Sequence, residues 1–279
     1  MFLGIFTSTL LGAVLAGGAC GLIGAFVVRM NLSSMGFTMS HAAFAGAALG
    51  LLLGWNPLLL AILFSVVVAA ALGPAAEKAK LEANVLIGIT FPLTMALGLI
   101  FLKFSPGTAM SSTALSLLWG SILGVTQAEL LQLAGLAAAL MVLIGLFFKE
   151  FLAILLDLKL ARESGLNPRP FFYLVLFLTG VTVSLSLKLI GGLLVFALMI
   201  NPASTAYQFF YDMKKIILFA PLIGAGSAVL GLMVSFMIDL PVGSAIALVS
   251  TLGFAGAVAI SPKRRRGRAR IKESAPTSG

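Results

Sequence analysis

Cysteine, histidine and charge are the scarce commodities of this chain: 279 residues contain one Cys, one His and only 10% Asp, Glu, Lys and Arg. A lone Cys20 excludes an internal disulfide and any thiolate cage for a structural metal. Its neighbours Gly17, Gly18 and Gly21 mark it as a small packing residue. A lone His41 excludes a histidine cluster, and with no aspartate or cysteine companion in its span it offers neither a nucleophile with its base nor paired metal ligands. No GxxxxGK[ST] pattern occurs, so ATP is not bound by that route, and the chain is expected to be no enzyme. Carboxylates inside spans, which a transporter driven by an ion gradient would use for coupling, are also missing. Glu77, Glu82, Glu129, Glu150, Asp157, Asp212 and Asp239 all fall at predicted helix ends or in loops.

What the chain has instead is apolar length. Hydrophobic residues make up 60% of it and the mean hydropathy is +1.14, values that place it in a bilayer. Crossing the hydrocarbon takes about 20 residues at 1.5 Å each. Stretches of that kind lie near 5–28, 35–54, 56–76, 84–103, 130–148, 171–188, 189–206, 216–238 and 242–260. The expected fold class is an all-α integral membrane bundle of about nine transmembrane helices (8–10). The first stretch lacks a basic start and is too long for a signal peptide, so it is expected to span. Residues 112–127, rich in serine, are too polar to cross and are expected to be re-entrant or peripheral. The domain reading is one transmembrane domain over 1–262, followed by a basic tail over 263–279 that is expected to be disordered.

Charge sets the expected orientation. The tail KRRRGRARIK (263–272) holds seven of the 18 basic residues, and such a cluster just after a span signals a cytoplasmic C-terminus and contact with lipid phosphates rather than with nucleic acid. Walking back from it puts LDLKLARESGLNPRP (156–170) on the same side, as a short amphipathic helix closed by Gly165. A short charged helix there suits docking into a groove on a motor protein; the alternative is an ordinary solvated loop. Arg29 and the loop EKAKLE (77–82) also fall on that side, leaving the N-terminus outside.

Small residues repeat at four-residue spacing, as in Gly46, Gly50 and Gly54, Gly17 and Gly21, and Ser227 and Gly231, which predicts close helix contacts. Among polar groups, Ser34, Thr38 and His41 share one side of a helix over 35–54. A neutral imidazole is a ligand for zinc, manganese or iron, so His41 is a candidate for a cation pathway; its alternative role is a hydrogen bond to a neighbouring helix. Asn201 precedes Pro202 in the middle of a span, where a helix break would line a cavity or, alternatively, only shape packing. Pro92, between Thr90 and Thr94, is expected to be a simple kink.

Several stretches in order carry a family resemblance: GLIGAFVVRMNLSSMGFTMSHAAFAGAALG (21–50), ANVLIGI (83–89), LSLLWGSILGVTQAEL (115–130), LDLKLARESGL (156–166), GGLLVFALMINPASTA (191–206) and DLPVGSAIALVSTL (239–252). Over about residues 5–260 the chain resembles the membrane permeases of bacterial ABC importers for zinc, manganese and iron. The resemblance implies a multi-pass protein of the bacterial cytoplasmic membrane that works by alternating access. It implies two permease copies, a separate ABC ATPase subunit, and an extracytoplasmic substrate-binding protein. The divalent metal would be cargo, with no cofactor held by this chain. Ala161, Arg162, Glu163, Ser164 and Gly165 would form the coupling helix that meets the ATPase. The family's pattern on the second span is D-x-x-x-H; here His41 is present and Phe37 stands at the aspartate position. Oxygen ligands would then come from Ser34, Thr38 or Asn201, or the metal would pass only transiently, or the solute would be a different one.

Overall fold

The computed structural model describes residues 2–105, 120, 125–156, 158–192 and 194–261, and among them eleven helices. They are α1 (Phe2–Arg29), α2 (Ser33–Leu53), α3 (Pro57–Ala79), α4 (Ala83–Phe104), α5 (Gln127–Leu146), α6 (Phe148–Leu156), α7 (Leu158–Glu163), α8 (Pro168–Ile190), α9 (Val195–Phe209), α10 (Met213–Ile238) and α11 (Val242–Ile260). The stretch 112–127 expected to be re-entrant falls mostly outside the described residues, as do Asp157 and the basic tail 263–279.

Local sequence explains where helices begin and end. Thr126 and Glu129 form a reciprocal capping box: the Thr126 hydroxyl accepts from the Glu129 amide at 3.3 Å, and the Glu129 carboxylate accepts from the Thr126 amide at 2.8 Å. That box starts α5 at Gln127, three residues earlier than hydropathy alone suggests. Asn167 caps α8 ahead of Pro168, and Asp212 caps α10 through the Lys214 amide at 2.9 Å. Gly54, with φ +68°, ends α2 in the left-handed conformation.

Seven of the helices are long and apolar enough to cross a membrane: α1, α2, α4, α5, α8, α10 and α11. The other two expected spans are shorter. The apolar part of α3 is Pro57–Leu72, and α9 has 15 residues. The boundary expected between the spans 171–188 and 189–206 moves. α8 runs on to Ile190, and the chain breaks at Gly191, whose φ of +95° suits glycine and whose amide donates back to the Leu187 carbonyl at 2.8 Å.

The helices form two groups joined by α8. In one, α1 packs on α9 and α10, and α11 closes against both of these; in the other, α2 packs between α3 and α4. α8 lies against α1, α2 and α3, and α5 leans on α1 and α8. The most buried spans are α1 and α2, each 72% buried, while α4 and α5 are 22% buried and turn most of their surface outward. Close approach depends on missing side chains. A Cβ on Gly46 would strike the Leu60 carbonyl of α3, one on Gly24 would strike the Met199 carbonyl of α9, and one on Gly50 would lie 2.6 Å from Pro57 Cα. The expected close contacts of Gly17 and Gly21 fall on Gly224 and Ala220 of α10, and that of Gly231 on Ile246 of α11. Gly54, by contrast, meets nothing within 4 Å and serves as a cap. Cys20 is buried and passive, its Sγ 3.6 Å from Ser186 Oγ.

Candidate metal pathway

Two helical registers bring His41 to the middle of the molecule. α2 carries Thr38 and His41 inward, 0% and 1% exposed, while Ser34, one turn earlier, is exposed. The face that receives His41 is aromatic. Its imidazole lies edge-on to Phe91 of α4 at 4.5 Å between ring centroids and to Phe37 of its own helix at 4.8 Å. Phe37 in turn meets Phe91 at 4.7 Å and Phe196 of α9 at 5.1 Å. Two phenyl rings, Phe37 and Phe91, thus meet the imidazole, and Phe196 of a third helix packs behind Phe37, in contacts of the kind worth about 0.5–1.5 kcal/mol each beyond burial.

The polar atom inside this collar is unsatisfied: His41 Nε2 is buried with no hydrogen-bond partner. Leaving such an atom without water or a partner costs about 1–3 kcal/mol. The nearby hydroxyls are engaged elsewhere. Thr38 donates to the Ser34 carbonyl at 3.2 Å, Ser40 to the Gly36 carbonyl at 3.1 Å, and Thr94 to the Thr90 and Phe91 carbonyls at 3.0 Å. These bonds to carbonyls three or four residues back keep each side chain on its own helix. Among the described residues no group of three or more His, Cys, Asp or Glu side chains could hold a metal together.

Asn201 does not join His41. Its amide nitrogen donates to Ser250 Oγ at 3.1 Å and Thr251 Oγ1 at 2.9 Å, so it ties α9 to α11. The break expected at Pro202 is not there: α9 passes through it without interruption, and the real break lies eleven residues earlier, at Gly191. Pro202 has no N–H to offer the Leu198 carbonyl one turn earlier, and the helix continues despite that loss; the Thr205 hydroxyl bonds a different carbonyl, that of Asn201, at 2.8 Å. Pro92 likewise lies inside α4, with Thr90 donating to the Leu86 carbonyl at 2.7 Å.

Phe91 and Phe196 are the members of the collar that the sequence did not reveal. Phe91 stands between Thr90 and Pro92, residues that draw attention to themselves, and nothing in a local pattern tells which face of α4 meets α2. The pair Glu129 and Lys188 was missed too. Their side chains lie 2.5 Å apart, joining α5 to α8 at the end of the bundle where α1 begins. Beside this pair opens a cavity of about 500 Å³, bounded also by Asn56, Gln132 and Ser184. None of the collar residues lines it. The His41 ring therefore does not border this cavity in the conformation described.

The short arm between α5 and α8 has the expected shape. α7 is followed by Gly165 at φ +82°, with the Ser164 and Leu166 amides bonded back to the Leu160 and Ala161 carbonyls, each at 3.0 Å. Ala161 is buried, while Arg162, Glu163, Ser164 and Gly165 are exposed beside Leu156 and Leu160, exposed 69% and 64%. α6 anchors the arm. Phe151 meets Phe26 of α1 at 5.0 Å and Phe171 of α8 at 5.4 Å, and Arg29 donates to the Leu155 carbonyl at 3.2 Å.

Comparison with known proteins agrees with this architecture from end to end. The family model described as ABC 3 transport family matches residues 3–261. The manganese transport system membrane protein MntC of Listeria innocua is 36% identical, over 94% of this chain and 92% of that protein. The manganese import system permease protein ScaB of Streptococcus gordonii is 32% identical, over 95% and 94%. Among solved structures, PsaBC from Streptococcus pneumoniae in complex with Fab superposes with a TM-score of 0.87 at 30% identity, covering 95% of both chains. The chain is a member of the ABC 3 transport family.

Proposed function

We propose that the chain is the membrane permease of a bacterial ABC importer and carries a divalent transition metal, zinc, manganese or iron, across the cytoplasmic membrane. The observation that supports this best within the molecule is His41: a buried imidazole whose Nε2 has no partner, held where three helices meet. An idle polar atom at membrane depth is costly, and a passing cation would satisfy it.

In this reading two permease copies stand side by side, a separate ATPase subunit sits under α7, and an extracytoplasmic protein delivers the metal. The C-terminus, with its basic tail from 263 onward, faces the cytoplasm and its anionic lipids. Exposed Arg162, Glu163 and Ser164, with Leu156 and Leu160, form the surface that receives ATP-driven movement. The Phe26, Phe151 and Phe171 contacts and the Arg29 bond carry that movement from the arm into α1 and α8. The collar opens alternately to either side as the two helix groups shift about α8, and binding and release follow from the difference in affinity between the two states. Family membership disfavours the rival driven by an ion gradient. A second reading, a permease of the same family for another solute, is favoured by Phe37, whose hydrocarbon ring occupies a position where a carboxylate would hold a dication.

The test is elemental analysis of cells grown under metal limitation, comparing the intact gene, a deletion and His41→Ala at equal protein level. Deletion lowers zinc, manganese or iron, and His41→Ala reproduces the loss. If deletion changes none of the three, the second reading replaces the first.

A further inference from the structure

The surroundings of His41 say more than that a cation passes; they restrict which cation. Within the collar the donor set is one neutral imidazole nitrogen, with the phenyl rings of Phe37, Phe91 and Phe196 as the other neighbours that contact it or complete the cluster. Phenyl rings have no lone pair for a metal. Thr38, Ser40 and Thr94, the buried hydroxyls on the same two helices, donate to backbone carbonyls and carry no charge with which to offset a dication's lost hydration. Asn201 directs its side-chain amide to α11. Among the described residues no group of three or more His, Cys, Asp or Glu side chains forms there.

Divalent metals differ in what they accept in exchange for water. Manganese stands lowest in the first-row order of affinities and is held best by carboxylate, carbonyl and water oxygens, while zinc stands higher and takes imidazole readily. A passage that offers one imidazole and hydrocarbon compensates zinc for part of its lost hydration and compensates manganese for much less. We propose that the His41 collar makes this permease selective for zinc over manganese, the metal for which several of its relatives are named. This inference rests on the proposed function. Phe37 is then a specificity-determining residue: it lies one turn before His41 with its ring against the imidazole, so a carboxylate in its place would face the same cation.

The experiment measures radioactive zinc and manganese uptake, singly and in competition, by cells expressing the complete importer with its own ATPase and binding protein held constant. The permease is intact or carries Phe37→Asp. The intact permease moves zinc at least about tenfold faster than manganese, and Phe37→Asp lowers that ratio by raising manganese uptake. Equal or faster manganese uptake by the intact chain overturns the selectivity while leaving the transport reading in place, and so does an unchanged ratio in Phe37→Asp. Uptake of neither metal overturns the inference, and iron uptake in the same cells then decides whether the transport reading stands. Should Phe37→Asp not accumulate in the membrane, equilibrium dialysis of the purified intact complex against each metal decides. Zinc is retained more than manganese, and the difference disappears in His41→Gln; equal retention, or a difference that survives in His41→Gln, overturns the proposal.

Discussion

His41 and Asn201 are both polar side chains at membrane depth, and the bundle treats them in opposite ways. Asn201 is tied down: its amide nitrogen donates to two hydroxyls on α11, and its backbone carbonyl accepts a third bond from Thr205. His41 is buried more deeply, yet its Nε2 has no partner and hydrocarbon rings surround it. A polar group that serves packing is satisfied in the resting structure, because that is the only structure it serves. A group reserved for a passing solute is left unsatisfied until the solute arrives, and the cost is borne by the packing around it. Composition alone points to both residues equally; only the hydrogen bonds separate them.

The sharpest break of this comparison is a pair of leucine substitutions read by two measurements. His41→Leu removes an orphaned polar atom and replaces it with hydrocarbon of similar size in a hydrocarbon collar. Its thermal unfolding midpoint in the purified complex is expected to stay level or rise, since the roughly 1–3 kcal/mol penalty of an unpaired buried group is relieved. Its metal uptake is expected to fall by an order of magnitude or more, in the range of about 10–100-fold that loss of groups supporting a metal site costs. Asn201→Leu is expected to do the reverse. Two interhelical hydrogen bonds vanish, at a cost of about 0.6–2 kcal/mol in a membrane bundle, while uptake per correctly folded molecule is retained. If His41→Leu destabilises and Asn201→Leu stops transport, the two roles are exchanged and the comparison fails.

The same contrast shows what the sequence can and cannot express. The span pattern was legible because a bilayer demands long apolar helices whatever their neighbours, and α7 with Gly165 was legible because its charge, length and closing glycine are local signals. His41 was legible by scarcity. The break before α9 was misplaced onto Pro202, because proline is a strong local signal and a membrane helix tolerates it when the missing donor is the only loss; the glycine pair at 191 and 192 carried the break instead. Phe91 and Phe196 were hidden for a different reason. Aromatic residues are common in spans, and which of them gather around one imidazole depends on the rotation of α4 and α9 against α2, a property of the packed bundle with no local pattern. The destination of Asn201 on α11 was hidden likewise.

The smallest expected effects lie in the two acceptors of Asn201, and they test how the satisfied site is built. Ser250 is buried and also donates to the Ala247 carbonyl at 3.0 Å, so it is held on its own helix whether or not Asn201 is present. Thr251 is exposed and lies closer to the amide, at 2.9 Å against 3.1 Å. With either acceptor removed, the amide keeps the other, so Ser250→Ala and Thr251→Val are each expected to lower stability by no more than about 0.6 kcal/mol. Removing both leaves the amide without an acceptor, and the double variant is expected to lose more than the two single losses combined and to approach Asn201→Leu. Unfolding midpoints of the three variants and Asn201→Leu, measured in one detergent, decide this. Simple additivity would mean that the amide finds water or another partner when its acceptors are gone, and Asn201 would then be an adaptable surface group rather than the fixed tie between α9 and α11.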